Sequence, residues 1–196
     1  MPTRLYFIRH GETEWSRTGQ HTGTTDLPLT EHGVAEARAL AARLRGVGFD
    51  HVRTSPRQRA RQTCELAGLA AAAVSDPELA EWDYGDYEGR RSAEILAERP
   101  DWDIYRDGCP GGESPAQINA RADRGIARLE ALAGNVAVFS HGQFGRALLV
   151  RWVGWPITDV PRFQLATASV SILSFERPGA ERPDIALWNF KGPNLA

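Results

Sequence analysis

Two short apolar runs in this chain end the same way. Leu5-Tyr6-Phe7-Ile8 leads into Arg9-His10-Gly11, and Val136-Ala137-Val138-Phe139 leads into Ser140-His141-Gly142. Apolar runs of this length, broken by glycine, predict strands buried on both faces of a parallel sheet. Between them the apolar spacing becomes helical. Val34, Ala37, Leu40, Ala41 and Leu44 predict a helix over 31–45, opened by Thr30 as N-cap and carrying Arg38, Arg43 and Arg45 on a solvated face. A strand at 51–54 runs into Ser55-Pro56 and a helix over 57–69. Short helices are expected near 92–98 and 101–106, the first ending at Pro100, and Pro115 opens a helix over 116–132. A helix over 143–153 follows the second histidine strand, and β-rich runs at 169–175 and 185–190 finish the pattern. Strands alternating with helices predict an α/β fold, a three-layer α/β/α sandwich around a mostly parallel sheet.

Three segments break the periodicity. Residues 12–29 read as one long threonine- and glycine-rich loop, and loops of that length inside a domain are usually functional. The stretch 76–89 is irregular and aromatic, and 107–114 is a glycine-proline loop.

With 196 residues, 42% hydrophobic and 24% charged, the chain is expected to form one domain over 1–196. A net charge of −2 gives no electrostatic reason to expect nucleic acid as partner. Lys191 is the only lysine beside 22 arginines, so no Walker-type phosphate loop can be drawn. The start, Met1-Pro2-Thr3-Arg4, lacks the apolar run of a secretory signal, which predicts a cytoplasmic protein with no membrane partner. Cys64 and Cys109 make neither a disulfide framework nor a zinc pattern, and are expected to be reduced and structural. Neither is followed six residues on by the arginine of a cysteine-dependent phosphatase; those positions hold Ala70 and Pro115.

The candidate chemistry lies where strands end, because open α/β sheets bind ligands beyond the carboxyl ends of their strands. Arg9, His10, an arginine at the start of the 57–69 helix, Glu81 and His141 all fall at such places. Together they supply a nucleophile, cations for an anion and a proton donor, an inventory for phosphoryl transfer with neither metal nor cofactor. A neutral imidazole such as His10 can attack phosphorus once its other nitrogen is held by an acceptor. The charge of the loose transition state spreads over three oxygens, which fork-shaped arginine donors can meet. His141 is a further donor, and Gly142 and Gln143 open a helix whose first amides favour an anion. The leaving oxygen needs an acid, for which Glu81 is the candidate. Spacing alone does not choose among Arg57, Arg59 and Arg61.

At these residues the chain resembles the histidine phosphatase superfamily in its phosphoglycerate mutase-like branch. Arg9-His10-Gly11-Glu12-Thr13, Ser55-Pro56-Arg57-Gln58-Arg59-Ala60-Arg61-Gln62-Thr63 and Ser140-His141-Gly142 match its blocks in order. The resemblance implies a transient phosphohistidine on His10, a phosphate pocket of Arg9, Arg59 and His141, and Glu81 as acid and then base. It also points to Ser16, in place of a common asparagine, to Thr22 and Gly23 in the first loop, and to Tyr84 as a substrate contact. His21 lies in that same loop and is a candidate contact, whereas His32 and His51 are expected to be structural or solvated; none has metal-ligand spacing.

The segments 19–30, 81–89 and 107–114 look like the broad-specificity acid phosphatases and sedoheptulose-bisphosphatase-like members of the branch. True mutases carry an insertion with two adjacent arginines, where this chain has Tyr105-Arg106-Asp107-Gly108. The aspartate is expected to repel a second phosphate. The expected activity is hydrolysis of small phosphate monoesters such as sugar phosphates or phosphorylated acids. A cofactor-dependent phosphoglycerate mutase is the alternative, and a non-catalytic phospho-ligand binder a third reading. Arg106 and the pair Arg90-Arg91 are candidates for selecting a second anionic group. Oligomeric state is open, with a homodimer one option.

Overall fold

A computed structural model of the chain describes residues 3–175 and 182–195, and Met1 and Pro2 of the N-terminal reading lie outside the described residues. One mixed sheet organises it, in the strand order β3(Ala73–Ser75), β2(His51–Thr54), β4(Asn135–Ser140), β1(Arg4–Arg9), β5(Val170–Phe175), β6(Pro183–Phe190). The first four are mutually parallel; β5 runs antiparallel to β1, and β6 antiparallel to β5. The α/β/α expectation holds.

Alternation along β1 explains the layers. Leu5 and Phe7 enter a core with α6(Pro115–Glu130) and α7(Gly142–Trp152), through Ile118, Ala122, Leu129, Phe144 and Leu148. Tyr6 and Ile8 face the opposite way, into a core with Leu40 of α2(Glu31–Arg43), Leu44 at its C-cap and Cys64 of α3(Gln58–Leu66). Val136 and Val138 of β4 join the first core while Ala137 and Phe139 join the second. A strand covered on both faces must be apolar throughout, which is why its sequence shows a run and not an alternation.

Local chemistry sets the helix ends. The Thr30 hydroxyl accepts from the Gly33 amide at 3.0 Å and opens α2. Ser114 and Gln117 form a reciprocal capping box at α6, with Pro115 in its first turn.

Several expectations are corrected. The 12–29 loop contains a short helix, α1(Glu14–Thr18), nucleated by the Thr13–Ser16 capping box and stopped by Gly19 at φ 79°. The short strand β3 and a 3-10 turn over Ile157–Arg162 were not expected; β3 is only three residues long and owes its form to pairing with β2. The helix expected over 101–106 is α5(Ile104–Asp107), because Asp103 caps the Tyr105 amide. The helix expected near 92–98 is α4(Ser92–Glu98). Arg43 does not lie on a solvated face: it is buried and donates to the carbonyls of Ala168, Lys191 and Gly192. Cys64 and Cys109 are free and buried, and burial pushes both thiols up to about 12.

Candidate active site

Parallel pairing brings the two histidines together. Arg9 is in register with Ser140, so His10 and His141 are the next residues beyond adjacent strand ends, with ring centroids 5.2 Å apart. Ser55 leaves β2 at the same edge, its amide bonded to the Phe139 carbonyl at 2.9 Å. The carboxyl ends of three neighbouring strands thus supply one site.

The tautomer of His10 follows from its partner. Nδ1 lies 2.7 Å from the Gly11 carbonyl, which can only accept, so Nδ1 carries the hydrogen and Nε2 holds a free lone pair. Burial, followed by the charges of Arg59 and Arg9, holds the ring well below the usual histidine pKa, so it is neutral at pH 7. The Gly11 amide donates to Thr63 on α3 and the Glu12 amide to Glu36 on α2, so two helices hold the turn after the strand. Gly11 and Gly33 are in backbone contact: a Cβ on Gly11 would sit 2.5 Å from the Gly33 carbonyl oxygen.

His141 is pinned at both nitrogens. Arg59 Nε donates to its Nδ1 at 3.1 Å, which leaves the hydrogen on Nε2, 2.7 Å from the Ser55 hydroxyl. Burial first, then Arg59, keeps this ring well below the usual value too. Arg59 is fully buried. Its remaining donors reach the carbonyls of Thr22, Gly23 and Thr25, at 2.9, 3.1 and 3.0 Å. Glu88 holds the other side of that loop by accepting from the amides of Gly23 and Thr25. Neither Arg59 nor His141 is among the residues lining the pocket, and with both ring nitrogens engaged His141 does not offer the free donor expected of it.

Glu81 occupies the start of α7. Its carboxylate accepts from the amides of Trp82, Gln143 and Phe144 at 2.9, 3.0 and 2.7 Å. The helix N-terminus expected to receive a substrate anion therefore already holds a protein carboxylate. Arg121 fixes the segment leading to Glu81: its guanidinium donates to the carbonyls of Glu78, Ala80 and Glu81 and pairs in bidentate fashion with Glu113.

The pocket itself is lined by Arg9, His10, Ser16, His21, Thr22, Glu81, Tyr84, Gly142 and Gln143, all singled out in the sequence. Arg9 lies over Gly142, where a Cβ would come within 3.1 Å of its Cζ and Nε, and that buried Nε has no partner. His21 stacks on buried Tyr84 at 4.5 Å. Gly23 is withdrawn from the pocket, its amide on Glu88 and its carbonyl on Arg59.

Other expectations do not converge here. Arg106 is exposed, pairs with Asp107 and lines a separate surface depression with Arg99 and Trp102. The argument that Asp107 repels a second phosphate thereby loses its geometric basis. Arg90 pairs with Glu98, and Arg91 is exposed at the start of α4. Conversely, Arg146, Trp15, Gln20 and Gln164 line the pocket without having been named from sequence. Arg146 was within reach, because it follows Gln143 by three residues on one helix face. Gln164, in irregular chain, carried no signal.

Among the described residues no three side chains of the metal-binding types come together, and no helix is long and apolar enough to cross a membrane.

Comparison with known proteins agrees with this geometry. Residues 5–191 match the family model of the histidine phosphatase superfamily, branch 1. The chain is 45% identical over 177 residues to an acid phosphatase of Mycobacterium tuberculosis, covering 88% of this chain and 87% of that one. It is 39% identical over 184 residues to sedoheptulose 1,7-bisphosphatase of Saccharomyces cerevisiae, covering 77% and 68%. The solved structure of open reading frame Rv3214 from Mycobacterium tuberculosis superposes with a TM-score of 0.89 at 41% identity, covering 96% of this chain and 98% of that one. With its two strand-end histidines, buried arginines and helix-capping glutamate, the chain belongs to branch 1 of the histidine phosphatase superfamily and is an enzyme of phosphate-ester hydrolysis.

Proposed function

We propose that this protein hydrolyses small phosphate monoesters, without a metal, through a phosphohistidine on His10. The observation that carries the reading is the His10 ring itself: neutral, with Nδ1–H tied to the Gly11 carbonyl and Nε2 free beside Arg9 at the pocket floor. Nε2 forms a bond to phosphorus as the ester P–O bond breaks, and Glu81, which must enter this step in its acid form, gives its proton to the departing alkoxide and is left as the carboxylate. In the second half a water oxygen attacks phosphorus, Glu81 takes its proton, and the N–P bond breaks to release phosphate. Arg9 faces the charge on the equatorial oxygens. Arg59 and His141 join once phosphate competes with the loop carbonyls for the Arg59 donors and with the Ser55 hydroxyl for the His141 donor. The site is read as cytoplasmic, where Cys64 and Cys109 stay thiols.

The test is hydrolysis of p-nitrophenyl phosphate at mildly acidic pH in the presence of a chelator, beside His10→Ala. Turnover by the parent and none by the variant is expected. Activity lost to the chelator, or kept by His10→Ala, contradicts the mechanism. Assaying 3-phosphoglycerate for both free phosphate and 2-phosphoglycerate separates hydrolysis from mutase chemistry.

A further inference from the structure

The carbonyl that fixes the His10 tautomer belongs to the same peptide group as the Glu12 amide. A trans peptide group is planar, so the Gly11 C=O and the Glu12 N–H point in opposite directions within one rigid unit. At one end the carbonyl accepts from His10 Nδ1 at 2.7 Å; at the other the N–H donates to Glu36 Oε2 at 2.9 Å. Whatever orients the Glu36 carboxylate therefore orients the carbonyl. A negative acceptor on the N–H also polarises the peptide group and strengthens its oxygen as an acceptor.

Glu36 is held in place as a charge. Its side chain is 8% exposed, and Oε1 accepts from the Lys191 ammonium at 2.7 Å and the Thr167 hydroxyl at 2.9 Å. Burial pushes the carboxyl up, yet Lys191, the Glu12 amide and Thr167 together hold it below the usual carboxylate range. The exposed His32 ring approaches the same oxygen only to 3.6 Å. Lys191, the only lysine of the chain, is placed in turn by Arg43, two turns beyond Glu36 on α2. Arg43 donates to the carbonyls of Lys191, Gly192 and Ala168, and the Ala168 amide donates to the His10 carbonyl at 3.1 Å. Neither Glu36 nor Lys191 lines the pocket, so neither meets the substrate there.

We propose that Glu36 is a positioning residue for the nucleophile, acting through the Gly11–Glu12 peptide group, and that Lys191 keeps its carboxylate aligned. A histidine nucleophile needs its far nitrogen held by a fixed acceptor. Here the acceptor is a carbonyl, and the relay from Lys191 through Glu36 fixes that carbonyl. The proposal rests on the reading of His10 as nucleophile.

The experiment compares Glu36→Gln, Lys191→Met, Lys191→Arg and the double variant Glu36→Gln/Lys191→Met with the parent, their folds checked by circular dichroism. Three quantities are measured: the rate constant of first p-nitrophenol release at saturating p-nitrophenyl phosphate, inhibition by inorganic phosphate, and the His10 Nδ1–H proton resonance. A glutamine cannot serve both sides, because with its oxygen on the Glu12 N–H its amide hydrogens face Lys191 and Thr167. Glu36→Gln should therefore slow first release roughly 10- to 100-fold, the scale of a misdirected reacting group, with phosphate inhibition unchanged. The Nδ1–H proton should move upfield as its acceptor weakens. Lys191→Met should slow release about 2- to 5-fold, the worth of a half-exposed ion pair, and Lys191→Arg should restore it. In the Glu36→Gln background Lys191→Met should cost nothing further, because the lysine acts through the carboxylate.

An unchanged release rate or an unmoved Nδ1–H resonance in Glu36→Gln, a loss that appears in phosphate inhibition instead, or losses that add in the double variant overturns the relay. Should Glu36→Gln fail to fold, Lys191→Met decides alone: parental release with an unmoved resonance overturns the relay as well. The resonance is read without turnover, so failure of the phosphohistidine reading, shown by activity surviving in His10→Ala, stays distinguishable from failure of this one.

Discussion

Arg121 offers the sharpest test of how the fold positions Glu81. All five of its N–H donors are used, two on Glu113 and three on the carbonyls of Glu78, Ala80 and Glu81, and its guanidinium lies 4.6 Å from the Phe144 ring centroid. Arg121→Met keeps the volume against Phe144 and removes every donor. Glu113 retains only the Asp83 amide at 2.9 Å, and three carbonyls lose their partner. Breaking one side of a largely buried ion pair costs about 3–5 kcal/mol, a large share of the 5–15 kcal/mol typical of a folded domain. For a chain of this size each kcal/mol moves Tm by about 2–4 °C, so a fall of roughly 6–20 °C is expected. Urea unfolding measures the loss. At a temperature where the variant remains folded, kcat should drop with KM little changed, because Glu81 loses its placement and phosphate-binding groups do not. A variant within 1 kcal/mol of the parent and equal in kcat would refute the clamp.

Three further outcomes follow from the site. The folded-state pKa values of His10 and His141 lie below those of the unfolded chain, so the unfolded chain binds protons first as pH falls. Stability is therefore lost as pH falls below about 6.5, and His10→Asn should remove part of that slope in urea titrations. Gly142→Ala places a Cβ against the Arg9 guanidinium and should lower kcat/KM about tenfold with the fold intact by circular dichroism. Arg59→Ala frees the Thr22, Gly23 and Thr25 carbonyls, so amide exchange across 22–25 should quicken while kcat/KM falls by about 100-fold or more.

What could be read in advance divides by interaction range. The buried strands, α2, α6 and α7 announce themselves because period and capping are local: Leu5 to Ile8 must be apolar between two helical layers, and Thr30 and Ser114 cap within three residues. The Thr13–Ser16 box was equally local, yet loop composition hid it. Strand β3 has no such signature, since three residues beside β2 are held by the neighbour's ladder. In the site, residue types were legible and partners were not. That Glu81 caps a helix 62 residues away, or that Arg59 spends its donors on 22–25, depends on chain separations that no period encodes. Arg106 was misplaced because the Asp103 cap sets the course of α5 and turns Arg106 toward Asp107 and solvent. Arg59 itself was chosen by motif. Its neighbours explain why spacing could not choose: Arg57 sits at the N-cap and Arg61 is exposed on the same short helix.

The central claim is that His10 carries the phosphoryl group. Mixing the enzyme with a 32P-labelled ester, quenching in alkali to preserve a phosphoramidate, and mapping the labelled peptide tests it directly. Label on the peptide containing His10, stable to base, labile to acid and missing from His10→Asn, is the predicted result. A parent enzyme that turns over at full rate with no acid-labile label, or with label on another residue, would contradict the account.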